Sequence, residues 1–253
     1  MMTDKDSLHK KVRDANKLFY NNVADIYEEI DGRRTDDLKK WLSNSLKVLS
    51  NSTTGKVLLD VGCGSGFAMD SGKEFFSHLY GIDISLEILK ESKDKSKHLI
   101  CGEVSYIPLK DNSVDVVVCL AVLHHIYNHK PLIKEIYRVL KKDGVLYTDH
   151  DMDKTFNKQF KIPLVLYRII FDACKKYKKA RKEITAEMYR LSEIHSDGID
   201  SYKILSHLEV EGFSDINCYF HWFGLNGVLN RIFKQRFFKN GLAPLVSIRA
   251  VKK

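Results

Sequence analysis

The segment Leu58-Leu59-Asp60-Val61-Gly62-Cys63-Gly64-Ser65-Gly66 runs from apolar residues into three glycines, and most of what the chain does starts at that junction. Val57 to Val61 is a short apolar run bounded by a glycine cluster, the texture of a parallel strand covered on both faces. Phe67 to Phe76 then reads as a helix. Glycine at 62, 64 and 66 permits backbone angles closed to other residues and lets a ligand approach the main chain. Asp60 sits inside the strand end. The next strand candidate, His78 to Ile82, also ends in a carboxylate, Asp83, within Gly81-Ile82-Asp83-Ile84-Ser85 and 17 residues after Gly66.

The same alternation continues outward. Further strands are expected at His98 to Cys101, Val114 to Leu120 and Gly144 to Thr148, with helices at Ser85 to Lys95 and Pro131 to Leu140. Strands that alternate with helices imply a parallel sheet with right-handed crossovers. Upstream, Leu18, Phe19, Val23, Ile26, Tyr27 and Ile30 recur at helical spacing, Asp31-Gly32 interrupts them, and Trp41, Leu42, Leu46 and Leu49 form a second stripe. Downstream, 154–197 is basic, helical in pattern and too long for a plain connection, so it reads as an inserted cap. Ser201 to Gly212 is a helix stopped by its glycine, Phe213 to Phe220 a strand, and Leu245 to Val251 the last strand. The division expected is a helical lid over 1–54 and a core over 55–253, with the cap at about 154–197.

A carboxylate at the tip of the second strand can take both ribose hydroxyls of an adenosine ligand. The dinucleotide fingerprint G-x-G-x-x-G is not met, because the third glycine falls one residue early, at Gly66, and Phe67 stands where the pattern would need it. No second glycine-rich half follows. A tight turn without a ligand is the remaining alternative.

Leu58 to Gly66 resembles motif I of the class I S-adenosylmethionine-dependent methyltransferases, and Gly81 to Ser85 resembles motif II. Cys101 to Leu109, Asp111 to Val117 and Ile136 to Leu146 resemble the later segments of that family in order, so the likeness covers roughly residues 55 to 150. The most similar subgroup includes the ubiquinone and menaquinone biosynthesis methyltransferases. The resemblance implies a Rossmann-like α/β fold: a seven-stranded sheet with its last strand antiparallel, with the N-terminal helices and the insertion after strand five as a lid. It implies S-adenosylmethionine as cofactor and S-adenosylhomocysteine as product. Asp60 and the backbone of Gly62, Cys63, Gly64 and Gly66 would then hold the methionine portion. Asp83 would take the ribose, Ile84 would pack on the adenine, and the Val104 amide would meet the ring. Glu103, where the family usually carries Asp, would accept from the adenine amino group. The Leu120 carbonyl would meet the methionine amine. Phe19 to Tyr27 resembles the family's lid helix, where Tyr20 either covers the cofactor or packs helix to helix.

Methyl transfer from a sulfonium is an in-line displacement, so the protein supplies alignment and desolvation, and a base only where the acceptor must lose a proton. His124 and His125 follow strand four and are candidate bases; one of them can instead cap the next turn. His195, in Glu193-Ile194-His195-Ser196-Asp197, can reach an acceptor from the cap or end a helix. Asp149, His150, Asp151 and Asp153 follow strand five, the end of the sheet where ligands bind. Acids and histidines there could hold a divalent cation, as in catechol-type methyltransferases, but the metal spacing of those enzymes is not met, so the segment reads as a solvated loop and no metal is expected. The acceptor reading is a small molecule methylated at oxygen, nitrogen or carbon. Alternatives are RNA or tRNA methylation, and a non-catalytic binder of the cofactor or its demethylated product.

The bulk composition sets outer bounds. The chain has 253 residues, 44% hydrophobic and 29% charged, an ordinary globular balance. Its five cysteines form no CxxC pair, which argues against a disulfide framework or zinc ribbon and for a reducing, cytoplasmic setting. Met1 to Lys11 lacks an apolar core, so no signal peptide is expected. The net charge of +8 suits an anionic partner without naming one. Ile162 to Phe171 is apolar and precedes Lys175 to Lys182, which is strongly basic. Over 162–182 this reads as a cap helix with a solvated end, with peripheral membrane contact and RNA contact as the sharper readings.

Overall fold

The computed structural model describes residues 4–32, 34–92, 94, 96–170, 172–225 and 227–253. Lys93, Lys95 and Phe171, which the sequence reading assigned to helical segments, and Arg33 and the first three residues of the expected lid lie outside this range. Three helices precede the sheet: α1 (Asp4–Val23), α2 (Tyr27–Asp31) and α3 (Asp36–Asn51). Strands and helices then alternate through β1 (Val57–Val61), α4 (Phe67–Gly72), β2 (His78–Asp83), α5 (Leu86–Lys90), β3 (His98–Cys101), β4 (Val114–Leu120), α6 (His129–Val139) and β5 (Leu140–Met152). The inserted cap comprises α7 (Lys154–Gln159), α8 (Lys161–Ile170), α9 (Ala173–Ala180) and α10 (Ala186–Ser192). The chain closes with α11 (Ser201–Glu211), β6 (Phe213–His221), α12 (Gly227–Phe233) and β7 (Leu245–Lys252).

The strands form a seven-stranded sheet in the order β3-β2-β1-β4-β5-β7-β6, with β7 antiparallel to both neighbours. This is the Rossmann-like arrangement expected from the sequence. The order reverses between β1 and β4, and ligands of open α/β sheets bind outside the carboxyl ends of the strands at such a point. Alternate side chains of the central strands enter two cores. Leu59, Val61, Val117 and Leu146 pack on one face with Ile133 and Ile136 of α6, while Leu58, Val116, Val118 and Val145 pack on the other with Leu42 and Leu46 of α3.

Local chemistry fixes the pieces. Thr35 caps α3, its hydroxyl accepting from the Leu38 amide at 3.2 Å, and Asp36 and Asp37 favour the helix N-terminus. Asp115 is buried in β4, where its carboxylate accepts from the Val57 amide at 3.0 Å and from Lys141 Nζ at 2.9 Å. One carboxylate thus ties β1, β4 and the start of β5. The cap has a closed neck. Lys154 N donates to the Ile199 carbonyl at 2.9 Å and Ile199 N to the Met152 carbonyl at 2.8 Å, so the 154–197 segment leaves and returns at one place.

The sequence reading is corrected at strand five. β5 extends to Met152, because β7 pairs with it again beyond a bulge, through Asp151↔Val246 and Met152↔Leu245. Asp149, His150, Asp151 and Asp153 are therefore not a solvated loop. All four are buried; the Asp149 and Asp151 carboxylates are satisfied by hydrogen bonds inside the fold, whereas His150 Nε2 and Asp153 Oδ2 have no hydrogen-bond partner. Helices α4 and α5 are also shorter than expected.

Leu59 is fully buried at the centre of the sheet. Leu59→Ala is expected to lower unfolding free energy by about 2–5 kcal/mol, read from the urea midpoint of the purified chain.

Candidate functional site

A deep cavity opens where β1 and β4 diverge, bounded below by the strand ends and above by α1. Its floor begins at the glycine turn. Gly62 has φ +70°, and a Cβ there would stand 2.5 Å from Val122, so the turn demands glycine on both conformational and steric grounds. The Gly62 and Cys63 amides both donate to the Ile82 carbonyl, at 2.8 and 3.1 Å, which clamps the turn onto β2.

Two carboxylates flank it. Asp83 accepts from the Gly64 amide through Oδ2 and from the Ser85 amide through Oδ1, both at 2.9 Å. Asp60 is buried and its Oδ2 has no hydrogen-bond partner. Burial, and then the nearby Asp83, push the Asp60 carboxyl up to about 8. Burial also raises Asp83, against the pull of its backbone donors. Arg34 reaches over this corner, donating to Glu28 and Ser65 at 2.5 Å each and lying over the rings of Tyr27 and Phe67.

The roof is pinned at two points. At one, Glu103 meets His9 Nε2 at 3.0 Å and Arg13 at 3.3 Å, and it also accepts from Ser105 at 2.8 Å. Burial alone would raise Glu103, yet these donors hold it below its ordinary value. At the other, Tyr20 Oη lies 2.7 Å from His125 Nε2, while His125 Nδ1 lies 2.6 Å from the Ser192 carbonyl. A carbonyl only accepts, so Nδ1 carries the proton and Tyr20 donates to the Nε2 lone pair. Burial, and then His124, lower His125 to about 4, and burial raises the Tyr20 phenol well above its usual value. Both groups are neutral near pH 7.

The structure brings Tyr20, Asp60, Gly62, Cys63, Gly64, Asp83, Ile84, Glu103, Val104, Leu120 and His125 to the wall of one cavity. Gly66 stands behind the turn, against Lys97 and Met69. His124 and His195 are not in the wall. His124 Nδ1 pairs with Asp151 at 2.6 Å, and His195 Nε2 lies 3.0 Å from the Ile126 carbonyl with its ring stacked on His129. Sequence reasoning missed Asn16, Arg34 and Gly224, which also face the cavity, and it read His150, another wall residue, as part of a loop. They come from segments far apart in the chain, and no local motif marks them.

Residues 59–148 match the family described as methyltransferase domain. A Methanocaldococcus jannaschii protein, MJ0638, is 41% identical over 36% of this chain and 38% of its own length. A tRNA (carboxymethyluridine(34)-5-O)-methyltransferase from Macaca fascicularis is 25% identical over 58% of this chain and 22% of its own. A demethylmenaquinone methyltransferase from Listeria welshimeri is 28% identical over 66% of this chain and 80% of its own. This chain therefore spans well under half of the first two relatives. Among solved structures, a SAM-dependent methyltransferase from Thermotoga maritima superposes with a TM-score of 0.64 at 15% identity, over 94% of this chain and 100% of that one, which is agreement of fold. With the matched segment running from β1 through β5 and the glycine turn and paired carboxylates lying within it, this chain carries a class I S-adenosylmethionine-dependent methyltransferase domain.

Proposed function

We propose that the chain transfers a methyl group from S-adenosylmethionine to a small-molecule acceptor, at oxygen, nitrogen or carbon. The observation that carries this reading is the Asp60–Asp83 pair at the tips of adjacent strands beneath the glycine turn. The donor set fits the cofactor. The unpartnered Asp60 Oδ2 suits the cationic amine of the methionine portion, alongside the turn from Gly62 to Gly66 and the Leu120 carbonyl. Asp83, already oriented by two backbone amides, suits the ribose hydroxyls. Ile84 and Val104 offer apolar contact to the adenine. Glu103 holds α1 in place and would meet the adenine edge from there.

When bound, the cofactor supplies an electrophilic methyl group on a sulfonium. The chain's part is alignment and the exclusion of water. Tyr20 closes the roof over the cavity, and its bond to His125 fixes the lid to the turn after β4. His125 Nε2, neutral and carrying a lone pair, is the atom placed to take a proton from an acceptor that displaces the Tyr20 hydroxyl. A small acceptor fits a cavity roofed by α1. The RNA reading draws on the tRNA-directed relative and the net charge of +8, and it would show as salt-sensitive RNA binding.

A second surface bears on the partner. None of the residues of α8 is buried: Ile162, Leu166, Ile169 and Ile170 are 77%, 57%, 68% and 72% exposed. Lys175, Lys178 and Lys179 of α9 follow immediately. An exposed apolar helix beside a cationic one suits the surface of an anionic bilayer, so we assign 162–182 a peripheral membrane contact, consistent with a lipid-soluble acceptor. Among the described residues no helix is long and apolar enough to cross a membrane.

Three outcomes are expected. Calorimetric titration will show S-adenosylmethionine and S-adenosylhomocysteine binding in the micromolar range, lost at least tenfold in Asp83→Ala; absence of wild-type binding removes the assignment. Because folding raises the Asp60 pKa, the folded chain holds an extra proton between about pH 4 and about 8, so stability falls as pH rises through that window. Asp60→Asn should flatten that decline in urea midpoints measured across the window. Finally, phosphatidylglycerol vesicles should co-sediment the chain while phosphatidylcholine vesicles do not, and Leu166→Glu with Ile169→Glu should abolish it.

A further inference from the structure

Beside the cofactor corner, His150 in the cavity wall joins Asp149 and His221, buried behind it, in a second polar cluster that the methyl-transfer reading leaves unused. It lies at the β5 bulge. His150 has φ +67°, a left-handed backbone that a non-glycine residue rarely adopts, and the bulge turns its ring toward the cavity wall, against Gly224. Gly224 is itself at φ +96°, and a Cβ there would stand 2.3 Å from His150 Nε2, so the close approach of this ring requires glycine. The His150 side chain is 7% exposed, its Nδ1 faces only the Asp149 carboxylate at 3.1 Å, and its Nε2 has no hydrogen-bond partner. Buried imidazole nitrogens normally find partners, so this one calls for a ligand.

Its neighbours supply the rest. Asp149 Oδ1 lies 3.1 Å from His150 Nδ1 and 2.8 Å from His221 Nε2, and the carboxylate and the His221 ring are both fully buried. The other carboxylate oxygen, Oδ2, accepts from Trp41 Nε1 at 3.0 Å and from the Tyr147 hydroxyl, which orients the carboxylate as outer partners orient a metal ligand. Trp41 and Phe223 enclose the group on its apolar side.

We propose that Asp149 Oδ1, His150 Nδ1 and His221 Nε2 form a binding site for one divalent transition-metal ion, zinc in the first instance, whose open position faces the cavity. Metal–ligand bonds of about 2.0–2.1 Å in a tetrahedral site place ligand atoms about 3.3 Å apart. The two measured separations need to widen by only a few tenths of an ångström. Two imidazoles and one carboxylate with a free fourth position is a donor set suited to a metal that engages an exogenous ligand, and an oxygen donor of the acceptor is the class that would fill it. The other His/Glu group near the cavity, His124, His125 and Glu193, is less suited. There His124 Nδ1 is engaged by Asp151, and both His125 nitrogens are engaged by Tyr20 and Ser192.

The test needs no acceptor and no S-adenosylmethionine, so it stands or fails separately from the proposed methyl transfer. The full chain, stripped with a chelator and dialysed, is titrated with Zn2+ and with Co2+. One ion per chain is expected, with a dissociation constant of about 1 µM or tighter. His150→Gln and His221→Gln should each weaken it at least tenfold, and His124→Gln should leave it unchanged, with circular dichroism verifying that each variant is folded. Should the buried variants not fold, the wild-type cobalt spectrum decides. The intense visible bands of four-coordinate nitrogen–oxygen ligation support the site. A sulfur-to-metal charge-transfer band, weak six-coordinate bands, absence of stoichiometric binding, or undiminished binding in both folded variants overturns it.

Discussion

The structure depends on burying carboxylates at the ends of parallel strands. Asp60 and Asp83 close β1 and β2, and Asp149 and Asp151 stand at the end of β5. Each would be costly in isolation, since an unpaired charge or polar group removed from water loses several kcal/mol. The fold meets that cost in three different ways. Asp83 is held by backbone amides of the glycine turn. Asp151 is held by the amides of Leu123 and His124 and by the His124 ring. Asp60 is left with an unpartnered oxygen and a raised pKa, and that is the place where a cationic ligand gains most.

The lid follows from the same logic. α1 is mostly polar in sequence, but one face carries Phe19 and Val23, which join Ile184 of the cap in a separate small core. Its polar residues reach down to the strand ends, where His9 and Arg13 engage Glu103 and Tyr20 engages His125. Cap and lid are therefore coupled. The carbonyl of Ser192, at the end of α10, fixes the tautomer of His125 and so the direction in which Tyr20 donates. A displacement of the cap would release the imidazole and the lid together.

What could be read locally was read well. The glycine turn and Asp83 depend on a single strand–turn–helix unit, whose residues are close in sequence, and all seven strands were found within a few residues. The outcome was different for Asp149 to Asp153. Four polar residues after an apolar run look like a loop, and only the second stretch of pairing with β7, almost a hundred residues later, shows that they continue a buried strand. His124 and His195 read as candidates for the same reason in reverse: sequence places them near the strand ends but not the direction of their rings.

By itself, the sequence determined the α/β alternation, the cofactor-type turn, the two acidic strand tips and the existence of an insertion, because each is written in the short-range periodicity and residue chemistry of one contiguous segment. The tertiary structure decided which polar side chains share a cavity. It brought Asn16, Arg34 and Gly224 to the wall, paired Tyr20 with His125, tied Glu103 to the lid and gathered Asp149, His150 and His221. Tyr20 and His125 are 105 positions apart, His9 and Glu103 94, and Asp149 and His221 72. Separation of that order is set by how layers pack on a twisted sheet, and no local pattern encodes it.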